Sequence, residues 1–143
     1  MANTAGVCNS FKSEILTATH DLTTSTGDTL MAALFQTTAS IGPATTSYST
    51  TGEVSSTGYT AGGVTVTNGT SPSTSGSTGI WTPTASFSWT GVTFTTDCCL
   101  IYNSTKSNKA IESLTFSSQT VTAGNFTLTM PANDASNALL RIG

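Results

Sequence analysis

His20 is the chain's one histidine, Asp21 follows it, Asp28 lies close behind, and 20 serines surround them. Imidazole, carboxylate and hydroxyl are the parts of an acyl-transfer triad. The strand-to-helix Gly-x-Ser-x-Gly elbow that would expose a nucleophile is absent, and with so many serines a hydroxyl near the histidine is expected by chance. Gly58-Tyr-Thr-Ala-Gly-Gly63 is glycine-rich but does not run into Gly-Lys-Thr or open a helix, so it reads as a turn and not as a phosphate cradle. The carboxylates Glu14, Asp28, Glu53, Asp97, Glu112 and Asp134 are spread singly, without the pairing that calcium binding or glycoside hydrolysis uses. Cys8, Cys98 and Cys99 are odd in number, and the last two are neighbours that a strand would aim at opposite faces. They are expected to be buried free thiols, not a disulfide framework or a metal site with His20. Asn68, Asn103 and Asn125 each open an Asn-x-Ser/Thr triplet. About three such matches arise by chance among eight asparagines in so hydroxyl-rich a chain, so they carry no information. The residues therefore point to no catalytic function, no cofactor and no metal.

The elements that would carry these residues follow from composition. Serine and threonine supply 52 of 143 residues, whereas charged residues are 8% against about 25% in a typical domain. Threonine is β-branched and suits a half-buried sheet, so the chain reads as all-β with a polar but nearly chargeless surface. Its length suits one domain over residues 1–143. Lys12, Lys106, Lys109 and Arg141 are scattered, which leaves no basic patch for nucleic acid. The first residues show no basic segment followed by an apolar run, and no stretch is long enough to span a bilayer, so synthesis in cytosol is expected.

Within an N-terminal segment 1–22, Phe11 and Ile15 lie four apart behind Asn9 or Ser10 as caps, which predicts a helix over about residues 10–19. Thr29 to Gln36 reads as a central apolar strand. Residues 40–79 are rich in Ser, Thr and Gly, with few anchors: Ile41, Tyr48, Val54, Tyr59, Val64 and Val66. A loop this long inside a compact domain is uncommon unless functional, so the segment reads as a pinned excursion, with one strand at Gly63 to Asn68, that meets a partner. Further on, Ala85, Phe87 and Trp89 alternate with hydroxyls, Val92 and Phe94 follow Gly91, and Cys98 to Tyr102 is continuously apolar. Ala110 to Phe116 and Phe126 to Met130 alternate again, a turn-rich loop separates Tyr102 from Ala110, and Ala138 to Ile142 closes the chain. About eight short strands with one N-terminal helix predict a β-sandwich or jelly roll.

Val7-Cys-Asn-Ser-Phe-Lys-Ser-Glu-Ile-Leu16, Thr51-Gly-Glu-Val-Ser-Ser-Thr-Gly-Tyr-Thr-Ala-Gly-Gly63, Leu100-Ile-Tyr-Asn-Ser-Thr-Lys-Ser-Asn-Lys-Ala-Ile111 and Met130-Pro-Ala-Asn-Asp-Ala-Ser136 stand in this order along nearly the whole chain. Together they resemble the capsid cement or decoration proteins of tailed bacteriophages. The resemblance implies a jelly-roll-like fold, no catalytic residues and a place on the outer surface of the phage head. It carries over no individual functional residue. The function expected is decoration and stabilisation of a capsid by bridging of coat subunits; the alternative is a tail or fibre component that binds host glycan or protein. Expected partners are the major capsid protein and further copies of the chain, a dimer before a trimer, with neither nucleic acid nor membrane. Tyr48, Glu53, Val54 and Tyr59 of the excursion, with Trp81 just beyond it, are the expected capsid contacts.

Overall fold

The computed structural model describes residues 2–143 and is all-β, with eight strands in two antiparallel sheets and one short helix. The strands are β1 (Gly6–Val7), β2 (Leu30–Phe35), β3 (Val64–Thr65), β4 (Ser73–Ser75), β5 (Thr78–Trp81), β6 (Phe87–Asn103), β7 (Lys109–Leu128) and β8 (Leu140–Ile142), with α1 (Asn9–Glu14) after β1. The larger sheet runs β1-β7-β6-β2-β3 and the smaller β4-β5-β8.

Apolar periodicity sets which strand goes where. The run Leu-Met-Ala-Ala-Leu-Phe makes β2 apolar on both faces, and it lies centrally, with all but Met31 buried. In β6 the pattern changes midway. Phe87, Trp89, Val92 and Phe94 alternate with exposed residues along a ribbon wet on one face, whereas Cys98 to Asn103 are all buried where β2 pairs alongside. Opposite it, β7 is buried near Ala110 to Ser113 and then opens to solvent. Phe126 packs against Trp89, Phe94 and Phe116 at 5.6–5.8 Å between ring centroids.

The segments expected as separate strands merge. Residues 87–103 form one strand of 17 residues and residues 109–128 one of 20, because bulges absorb what reads in sequence as punctuation. Gly91, at φ 62°, lies at one of them, where β6 carries an extra residue against β7. The hairpin between β6 and β7 turns at the expected hydrophilic loop, with Ser107 and Asn108 left-handed. The helix is shorter than expected. It begins at Asn9 with Cys8 as the extended capping residue, and Ile15–Thr17 tighten into a 3-10 turn that ends at left-handed Ala18. Ser13 and Thr17 hydroxyls bond to the carbonyls of Ser10 and Glu14, competing with helical continuation. The strand expected at residues 63–68 narrows to Val64–Thr65, and Ala85 lies outside β6, exposed in a bend. Residues 73–81 hold a hairpin, β4–β5, where the excursion was expected to be irregular.

Candidate functional site

The excursion is pinned from within by one carboxylate. Glu53, 6% exposed, accepts hydrogen bonds from the Tyr48 hydroxyl at 2.7 Å, the Tyr59 hydroxyl at 2.8 Å and the Gly62 amide at 2.7 Å. Tyr59 Oη also accepts from the Leu34 amide of β2 at 2.9 Å, and the Tyr102 hydroxyl donates to the Gly62 carbonyl at 2.8 Å. Tyr48 stacks on Tyr102 at 4.4 Å with the rings 9° apart. Burial, together with the Glu53 hydrogen bond, raises the pKa of the Tyr48 phenol well above its ordinary value. Glu53 and Val54 are buried, Tyr48 and Tyr59 are half-buried with their hydroxyls turned inward, and Trp81 is 2% exposed at the end of β5, its Nε1 donating to Asn68 Oδ1 at 3.0 Å. Structure brings Tyr48, Glu53 and Tyr59 together as an internal clamp, with Val54 beside it and Trp81 apart. A segment short of large apolar groups can be held by satisfying one buried charge.

His20 belongs to a second polar cluster. Its Nε2 lies 2.8 Å from Glu14 Oε2 and its Nδ1 3.0 Å from Asn103 Nδ2, which also donates to Asp28 Oδ2 at 2.7 Å. Because the Asn103 amide nitrogen is a donor, Nδ1 accepts and Nε2 carries the proton. Lys109 bonds Glu14 at 2.7 Å, and Lys106 stands 3.7 Å from Asp28. Burial pushes the Glu14 carboxyl up, but hydrogen bonds from Lys109 and His20 outweigh it and hold the group below its ordinary pKa. Both ring nitrogens are committed and the imidazole is fully enclosed, so the cluster ties the helical segment to the β6–β7 hairpin. The thiols are buried and free. Burial raises Cys8 to about 11 and Cys98 to about 12, and places Cys99 well above its ordinary value, so none is a thiolate near neutrality. Among the described residues no three His, Cys, Asp or Glu side chains gather as a metal site, and no helix is long and apolar enough to cross a membrane.

The larger recess lies elsewhere. A groove of about 760 Å³ separates the helical segment from the β5–β8 side of the small sheet, walled by Phe11, Ile15, Ile80 and Leu140. Leu16, 85% exposed, and Ile142, 63% exposed, stand on it, and Lys12 and Arg141 flank it. β8 pairs with β5 on one side only, which leaves its other backbone edge without a strand. Sequence reasoning missed this groove, although a signal was present. Phe11 and Ile15 share the buried helical stripe, which places Leu16 off it, and Leu140 and Ile142 are i and i+2 on one strand face.

No family model, no curated protein and no solved structure matches the chain.

Proposed function

We propose that this protein is a structural virion protein that decorates a tailed-phage capsid, seating a coat-subunit segment in the groove between the helical segment and the small sheet. The observation that carries the reading is the pair Leu16 and Ile142, the large apolar side chains left exposed among the described residues, together on one apolar groove beside an open strand edge. Exposed apolar surface gathered in one place marks an interaction site more than scattered exposure does. The occupant that fits is an extended, largely uncharged segment that pairs with β8 and puts alternate apolar side chains into the groove.

One of the four stretches that resemble decoration proteins, Val7–Leu16, supplies the helical wall of this groove, and a second, Met130–Ser136, precedes β8 without lining it. The other two lie elsewhere in the fold, in the Glu53 clamp and the β6–β7 hairpin. On a capsid surface many modest contacts of this kind add through multivalency.

The test uses particles stripped of the protein. The purified chain is expected to rebind them, and Leu16→Asp with Ile142→Asp is expected to weaken rebinding by tenfold or more, about 1.4 kcal/mol, with an unchanged far-ultraviolet spectrum because both side chains are exposed. Rebinding of the double variant at native strength would overturn the groove assignment. Virion density that placed the protein in the tail would overturn the decoration role and favour the tail or fibre alternative.

A further inference from the structure

We propose that Asn68 is a positioning residue: its carboxamide ties the two walls of the apolar groove to each other and so fixes the gap into which a partner strand fits. The proposal rests on the reading of that groove as the attachment site.

Asn68 stands where the excursion leaves the large sheet. Two residues before it, the buried Val66 donates its amide to the Leu30 carbonyl at 2.9 Å, so the backbone that carries Asn68 is anchored on β2 and not on either wall. From there the side chain reaches both. Nδ2 donates to the Leu22 carbonyl at 2.6 Å, on the loop that continues the helical wall, and Oδ1 accepts from Trp81 Nε1 at 3.0 Å, at the end of β5. Leu22 and Trp81 both line the groove. The two partners fix which way the amide points, because a carbonyl only accepts and an indole nitrogen only donates. Among the described residues one other hydrogen bond joins the helical side to the small-sheet side, from the Thr24 amide to Ser71 Oγ at 3.0 Å.

The gap matters because the proposed occupant is a strand. A segment paired on the open edge of β8 lies about 4.8 Å from it, and its alternate side chains meet Phe11 and Ile15 only if the helical wall keeps its place. Phe11 and Trp81 join both walls to one core, but apolar packing has no preferred direction, whereas the carboxamide sets a bond length on each side. Asn68→Asp keeps the acceptor toward Trp81 and sets a carboxylate oxygen against the Leu22 carbonyl, so that two acceptors face each other where the native pair bonds. Asn68→Ala removes both bonds without adding a charge.

The experiment reads the gap directly. Leu16→Cys and Ile142→Cys, one on each wall, carry spin labels whose separation is measured by pulsed electron resonance in the full chain; the three native thiols are buried and stay unlabelled. A single narrow distance is expected for the otherwise native chain, and a longer or broader distribution with either Asn68→Asp or Asn68→Ala. Tyr48→Phe, which weakens the Glu53 clamp, is expected to lower the melting temperature without moving the distance. Unlabelled Asn68→Ala, with a native far-ultraviolet spectrum, is expected to rebind stripped particles about fivefold or more weakly, on the scale of one lost hydrogen bond. The proposal is overturned if neither Asn68 variant moves the distance, if Tyr48→Phe moves it as far, or if Asn68→Ala moves it and still rebinds at native strength. Loss of fold in both Asn68 variants would also overturn it, since the residue would then hold the whole chain and not the gap. If the native chain itself does not rebind, the attachment reading falls, and the label distances still decide whether Asn68 holds the walls.

Discussion

The buried carboxylates Glu53 and Glu112 are held in different ways. Tyr59 Oη joins the Glu53 carboxylate to the Leu34 amide, so Tyr59→Phe leaves a buried donor and a buried charge each one partner short. A loss of about 1–3 kcal/mol is expected from the denaturant midpoint, with Tyr48→Phe costing less because its hydroxyl makes the Glu53 bond alone. Both changes are expected to act on the fold, since the two hydroxyls meet Glu53 inside the chain. Glu112 behaves in the opposite way. It is buried on β7 with Oε2 unpartnered, and desolvation, eased by the Arg141 charge, pushes its pKa from 4.5 to about 8. Its folded form thus holds a proton that the unfolded chain has already released. Between about pH 4.5 and pH 8 the unfolded state binds fewer protons, so this group's contribution lowers stability as pH rises and levels off above pH 8. Glu112→Gln keeps the shape without the charge. Its melting temperature is expected to exceed that of the native chain increasingly from pH 5 to pH 9, and equal differences at both ends would refute the assignment.

Among the elements, β3 is the test of how the excursion joins the sheet. It has only two residues, and Gly63 before it sits at φ 81° against the Ala32 backbone, where a Cβ would collide with the carbonyl. Gly63→Ala is expected to cost more than about 1 kcal/mol and to speed hydrogen exchange at Val64 and Val66 before it affects β6 and β7. Uniform acceleration across all strands would show that the excursion and sheet open as one unit. The elements were legible in unequal measure. The switch in β6 from alternating to continuous apolar residues announced its half-exposed and central portions, and Leu30–Phe35 read as central because nothing in it is polar. Helix length was misjudged because Ser13 and Thr17 offer the backbone alternative bonds that an apolar stripe does not reveal. The unity of β6 and of β7 was hidden because a bulge and a turn use the same residues, and only the partner strand distinguishes them.

For the whole molecule, the scarcity of charge sets how the proposed attachment should respond to salt. Attachment through Leu16, Ile142 and the β8 edge is expected to survive a rise from low to molar salt, because apolar burial is not screened; release by salt would instead implicate Lys12 and Arg141, which flank the groove. Light scattering at high concentration is expected to find a closed, symmetric assembly, a dimer in the first instance, and a lone chain throughout would count against self-association away from the capsid. Composition and local periodicity by themselves determined the all-β class, the single helix near the N-terminus, the turn between β6 and β7 and the burial of the three thiols, because each depends on a residue and its near neighbours. Tertiary structure alone decided which polar groups meet. Glu14 finds Lys109 across 95 positions and His20 finds Asn103 across 83, and the excursion's tyrosines turn inward because Glu53 is buried among them. It also decided that the open apolar surface lies between the two ends of the chain and not in its most loop-like stretch. Side-chain direction in an irregular segment follows from where a distant strand places its backbone and charge, and no local period records that.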